Sequence, residues 1–211
     1  MKINFLGDSI TEGGITSSPE KIFVNVVGSM LNCEVRNYGI SGTRIADRIV
    51  PSGFPRHDLF FGDRVKEMDK DADYVFVFGG TNDYGHGDAP LGELGDKTPK
   101  TFYGAMDYLI NQLLKYYRKE QIVFIPPLYR IDENNLYGDG SKTKPGNTLP
   151  EYRKAMEEVL NKYGMIILDI KDEFGQAENS PLLADGLHPN DAGHFKIAEL
   201  IVNYINNSSE K

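Results

Sequence analysis

Ser9, Asp185 and His188 are the residues of this chain whose types and settings suit nucleophilic chemistry. Ser9 lies in "GDSITEGG", residues 7–14, a polar, glycine-rich turn directly after the apolar run "KINFL". Asp185 and His188 stand three apart in "DGLHPND", residues 185–191, beside a proline and ahead of a helical pattern. At that spacing one ring nitrogen can bond the carboxylate, which fixes the tautomer and steadies the imidazolium formed during reaction. The other nitrogen is then free to face Ser9. Attack on a carbonyl also needs donors for the oxyanion. The backbone N–H groups of Ser9 and Gly42, in "NYGISGTR", and the side-chain amide of Asn82, in "GGTND", can converge on one oxygen. A glycine at position 42 lets the backbone come close.

Each of these residues also has an ordinary reading. A serine in a glycine-rich turn is usually a cap or turn residue, and Asn82 and Asp83 can cap a helix or close an Asx-turn. Asp83 is left in that role, and Asp8 is expected to brace its turn through backbone bonds. His57, His86 and His194 have no carboxylate at a matching offset in a matching motif and are expected to be surface or structural residues. What separates the five candidates is a shared address at the ends of elements.

Those elements alternate. Strands are expected at 2–6, 34–38, 74–79, 121–126 and 165–170, several with the continuous apolar character of strands buried on both faces. Helices are expected at about 20–31, 99–118, 150–162 and 191–206. Thr98 and Pro99 suit the cap and first turn of the second, and Asn190 suits the cap of the last. The pattern is that of a doubly wound α/β sandwich, a single domain over residues 1–211. With strand order 2-1-3-4-5, the crevice where the order reverses lies between the first and third strands. Ser9 and Asn82 would both face it. Segments 51–63 and 128–148 resist assignment, and a polar loop as long as the latter is usually functional or mobile.

Composition narrows the partners. With a net charge of −8, a nucleic acid held by phosphate neutralisation is not expected. A single cysteine, Cys33, rules out an intrachain disulfide and a thiolate metal cluster, and burial is its expected fate. No apolar run approaches the ~20 residues of a membrane span, and no secretory leader is visible, so a cytoplasmic location is expected.

Taken in order, "GDSITEGG", "NYGISGT", "GGTND" and "DGLHPND" resemble the four motif blocks of the SGNH hydrolase superfamily, the GDSL esterases and lipases. The resemblance spans residues 7 to 191 and implies a three-layer α/β/α fold with five parallel strands. It implies ester hydrolysis through an acyl-enzyme, with Ser9 as nucleophile, His188 as base then acid, and Asp185 orienting it. Ser9, Gly42 and Asn82 would form the oxyanion hole. No metal or cofactor is implied. The expected substrate is a small-molecule ester with a short acyl group, the acetyl of an acetylated carbohydrate or other polar alcohol, because loop 128–148 should bring Arg130, Asp132, Glu133, Asn134, Asn135 and Lys142 to the mouth. The alternatives are a lysophospholipase or lipase, a flavodoxin-like binding module, and a non-catalytic carbohydrate-binding relative.

Overall fold

The runs Tyr74–Phe78 (β3) and Ile122–Ile125 (β4) can be apolar throughout, and Lys2–Gly7 (β1) largely so apart from Lys2 and Asn4, because both of their faces are covered. In the computed structural model, which describes residues 1–209, they form the centre of a five-stranded parallel sheet. Its edges are Glu34–Gly39 (β2) and Ile166–Ile167 (β5), and the order is β2-β1-β3-β4-β5, as expected from the sequence. The more polar β2, "EVRNYG", is half exposed along its length. Gly7 pairs with Gly39 on one side and Phe78 on the other, so the turns leaving β1, β2 and β3 emerge side by side.

Alternate residues of the central strands feed two cores. Ile3, Phe5, Phe76, Phe78, Val123 and Ile125 face helices Phe23–Leu31 (α2) and Asp191–Ser209 (α7). Leu6, Val75, Val77, Ile122 and Phe124 face Phe61–Arg64 (α3), Phe102–Leu113 (α5) and Leu149–Tyr163 (α6). Two short helices, Ser9–Glu12 (α1) and Thr81–His86 (α4), sit on the carboxyl ends of β1 and β3. Among the described residues, no helix is long and apolar enough to cross a membrane.

Several boundaries differ from expectation. The helix expected over 99–118 begins at Phe102, because Thr101 caps it by accepting from the Gly104 N–H at 3.1 Å. Thr98 and Pro99 belong to the turn before it. The helix also ends early, at Leu113: Phe102, Met106, Leu109 and Leu113 form its buried face as expected, and Tyr117, buried too, lies beyond its end. The helix expected from 20 is broken at Ile22, whose extended backbone separates a 3₁₀ turn at Pro19–Lys21 from α2. The last strand shrinks to Ile166–Ile167, and by Ile170 the backbone has turned toward a 3₁₀ turn at Lys171–Phe174. Pro126 and Pro127, lacking N–H groups, follow directly on the end of β4. Cys33 is half-buried, not buried, at the approach to the edge strand. Asn190 does cap α7, accepting from the Gly193 N–H at 3.1 Å.

Candidate active site

Ser9 is the first residue of α1, where the chain turns sharply off β1. Asp8 makes that turn: its Oδ1 accepts the Ile10 N–H at 3.1 Å, as the bracing role requires. The turn packs tightly against the end of β2, where a Cβ on Gly39 would lie 2.2 Å from the Glu12 nitrogen. Only glycine fits there. Asp8 is 1% exposed, and burial pushes its pKa up to about 6 against the opposing pull of the Ile10 N–H and the His188 charge.

His188 comes from the other end of the chain, in the loop ahead of α7. Its Nε2 lies 3.0 Å from Ser9 Oγ, and its Nδ1 lies 2.8 Å from Asp185 Oδ2. The second carboxylate oxygen accepts the backbone N–H groups of Leu187 and His188 at 3.0 and 2.7 Å. Burial raises the Asp185 pKa, but those N–H groups and the imidazole outweigh it and hold the carboxyl below its ordinary value. It is therefore ionised at neutral pH. Ser9, His188 and Asp185 form one hydrogen-bonded line across the mouth of the sheet.

Gly42 and Asn82 meet Ser9 in the same cleft, about 400 Å³ in volume. Gly42 has a φ of 74°, the left-handed region, which favours glycine. Among the described residues, the N–H groups of Ser9 and Gly42 have no protein acceptor. Asn82 donates one amide hydrogen to the Thr43 carbonyl at 3.0 Å, leaving the other for a ligand.

The 40–46 loop is fastened from several sides by residues whose part the sequence did not reveal. Asp83 does not cap α4. It is 3% exposed, and its carboxylate accepts the N–H groups of Ile45 and Ala46 at 3.0 and 2.8 Å. Glu12 accepts both the N–H and the hydroxyl of Ser41. The buried Arg64 donates to Thr43 Oγ1 at 2.7 Å and to the carbonyls of Gly7 and Tyr38, tying the ends of β1 and β2 to the loop. Burial lowers the Arg64 pKa to about 10, so it stays charged at neutral pH.

The other histidines divide. His57 is exposed. His194 is 1% exposed, accepts the Phe23 N–H on Nδ1 at 3.2 Å and stacks on the Phe23 ring, a structural role. His86 lines the Ser9 cleft, with Nε2 3.3 Å from the Gly42 carbonyl oxygen and Nδ1 3.4 Å from Asp139. It lies four residues beyond Asn82 on α4, a spacing that shares a helix face and was legible in "NDYGH".

Segment 128–148 folds onto α4. The Tyr84 hydroxyl donates to the carbonyls of Asp132 and Asn135, and the Asp139 N–H donates to the Gly85 carbonyl at 3.0 Å. This brings Arg130 and Asp139 into the Ser9 cleft, beside Ser41, Ile15 and Leu187. Asp132, Glu133, Asn134 and Asn135 instead line a separate recess with Tyr129. Asp132 is bound by Arg130, and Glu133 pairs with Arg153 at 2.9 Å. Lys142 lines a neighbouring cavity.

A parallel α/β/α sandwich carrying a serine, a histidine and a carboxylate in line beyond its strand ends has the arrangement of the serine hydrolases of doubly wound fold. Residues 5–195 match the model of the GDSL-like Lipase/Acylhydrolase family, and the chain belongs to that family. Solved structures agree over nearly the whole chain. A protein from Lactobacillus plantarum superposes with a TM-score of 0.81 at 28% identity, covering 98% of this chain and 96% of that one. A lipase/acylhydrolase from Enterococcus faecalis gives a TM-score of 0.66 at 22% identity over 98% and 96%. An acetyl xylan esterase gives 0.65 at 19% identity over 97% and 100%. No protein of curated function matches the sequence significantly.

Proposed function

We propose that the protein hydrolyses a short-chain carboxylic ester, an acetyl group on a polar or carbohydrate alcohol, through an acyl-enzyme on Ser9. The observation that carries this reading is the line from Ser9 Oγ to His188 Nε2 at 3.0 Å and from His188 Nδ1 to Asp185 at 2.8 Å. As the Oγ–carbon bond forms, the hydroxyl proton passes to His188 Nε2 and the carbonyl electron pair moves onto oxygen. The Ser9 and Gly42 N–H groups and the Asn82 amide receive that charge. Collapse breaks the bond to the alcohol oxygen, which takes the proton from His188. Water then repeats the sequence: it gives a proton to His188, attacks the acyl carbon, and leaves the acid free and Ser9 reprotonated. Asp185 remains ionised throughout and holds the ring.

The substrate half of the reading rests on the lining. Ser41, Asn82, His86, Arg130 and Asp139 bring polar groups to a cleft whose exposed wall is otherwise mostly apolar, with Ile15 and Leu187 as its two larger apolar side chains. An apolar groove would gain about 0.8 kcal/mol per buried methylene of acyl chain, roughly fourfold in kcat/KM. Two apolar side chains do not make a continuous groove for a long acyl chain, so kcat/KM should stay flat or fall beyond two to four carbons. The test is a p-nitrophenyl ester series from acetate to decanoate, run beside acetylated sugars, with wild type and Ser9→Ala. Acetate should be cleaved by wild type alone, and a serine-directed organophosphonate should add one mass adduct at Ser9. Equal turnover by a folded Ser9→Ala protein would overturn the nucleophile. An optimum at eight or more carbons without acetate release from sugars would make the protein a lipid esterase instead.

A further inference from the structure

The Ser9 cleft adjoins a second cavity of about 700 Å³, and His86 lines both. Arg48, Asp88, Lys142, Lys144 and Tyr152 are among its other walls. In a chain of net charge −8, this cavity gathers three fixed cations against one carboxylate. The carboxylate, Asp88, already accepts the N–H groups of Ile49 and Val50 at 3.1 and 2.8 Å. Arg48 is held by the Val50 carbonyl at 2.8 Å, with Asp58 at 3.7 Å.

Lys142 is held differently. Its ammonium lies over the rings of Tyr84 and Tyr152, 5.8 and 5.6 Å from their centroids. Its hydrogen bond to the Asp83 carbonyl is long, at 3.4 Å, and it forms no ion pair among the described residues. Burial lowers its pKa, while the charges of Asp83, Asp139 and Asp88 act on it in the opposite sense and that of Arg130 reinforces burial. An ammonium carries three donors, and a half-buried one whose neighbouring carboxylates do not reach it in an ion pair is under-satisfied. Two aromatic faces hold it in place beside the reaction cleft, with donors to spare.

We propose that Lys142 is the anchor of a subsite for an anionic group, carboxylate or phosphate, on the same molecule whose ester lies at Ser9, so that the preferred substrate is an acetylated acidic sugar. The inference rests on the esterase reading above and deepens it. Arg48 and Lys144 add to the field of the cavity, and His86 marks where the anion-binding and reacting parts meet.

The test compares kcat/KM for matched esters: acetylated glucuronate and acetylated glucose 6-phosphate, each against acetylated glucose. Wild type should prefer one anionic partner, and which one it prefers separates carboxylate from phosphate. Lys142→Met should reduce the anionic-to-neutral ratio about tenfold, equivalent to about 1.4 kcal/mol. Lys142→Arg, which keeps the charge, should retain most of the preference. A ratio in Lys142→Met within about twofold of wild type, or no anionic preference in wild type, would overturn the subsite. In that event Ser9-dependent cleavage of acetylated glucose would leave the esterase reading intact. Direct binding of free glucuronate and glucose 6-phosphate is a second measurement that needs no turnover. One of them should bind wild type and the Lys142→Gln variant should lose it, whereas equal binding to both proteins would count against the proposal.

Discussion

Replacing Asp83 by asparagine should change how stability depends on pH, by an amount the structure sets. The Asp83 carboxyl is 3% exposed, and burial pushes its pKa from an ordinary 3.8 up to about 6. The N–H groups of Ala46 and Ile45 and the charge of Arg44 oppose that rise without cancelling it. A carboxyl whose folded pKa exceeds its unfolded one binds its proton more tightly in the native state. Its favourable contribution is therefore complete below about pH 4 and is lost as pH rises through about 6. Roughly two units at 1.36 kcal/mol each make about 3 kcal/mol. Asparagine does not titrate. The stability difference between variant and wild type should therefore move by about 3 kcal/mol in the variant's favour between about pH 4 and pH 7.5. Any constant difference between an acid and an amide at this position cancels in that comparison. Urea titrations of both proteins at several pH values, analysed for midpoint and slope, measure it. A difference that stays flat, or that moves against the variant as pH rises, would refute the reasoning.

Three further outcomes follow from other parts of the site. His194 provides the opposite sign: burial lowers its pKa to about 4, so its contribution is present above an ordinary 6.5 and lost as pH falls through about 4. His194→Asn, followed by the same titrations, should gain on wild type by about 3 kcal/mol as pH falls over that range. Asn82→Ala should cost on the order of 10²–10³ in kcat with little change in KM, since in the proposed mechanism its spare hydrogen meets charge that develops only in the transition state; steady-state kinetics on p-nitrophenyl acetate would show it, and an unchanged kcat with a raised KM would make Asn82 a substrate binder. Asp185→Asn puts an amide against His188 Nδ1 and selects the tautomer that carries its hydrogen on Nε2, facing Ser9. A loss of roughly 10⁴-fold in kcat is expected, and a loss below about tenfold would show that Asp185 does not orient the ring.

The strands and the turns that end them were legible in the sequence from short-range chemistry, whereas the strand order and the meeting of Ser9, Gly42, Asn82, Asp185 and His188 were legible through the resemblance of four short motifs to a known family. Apolar runs mark buried strands, and glycine-rich turns mark where those strands stop. The supporting residues were less legible because their partners are distant along the chain. Asp83 looks like a helix cap until Ile45 and Ala46 are beside it. Arg64 looks like a surface charge until it reaches the carbonyls of Gly7 and Tyr38. Segment 128–148 has no periodicity because its order comes from Tyr84 and Gly85 of α4, and not from a repeating pattern of its own. The start of α5 was misplaced by one turn because Thr98 and Thr101 are both sound caps, and only the bond to Gly104 chooses between them.

Ser9 and His188 are 3.0 Å apart in space and 179 positions apart in sequence. On a ribosome the serine emerges just after the first strand of the sheet, and the histidine only after every strand has been made. With the roles proposed for them, no nascent chain that stops short of position 188 can turn over an ester, however well its sheet has formed. Ester cleavage then acts as a clock for the molecule. In a refolding experiment it should be recovered no earlier than the docking of α7, and its lag behind the backbone signal would time that final step.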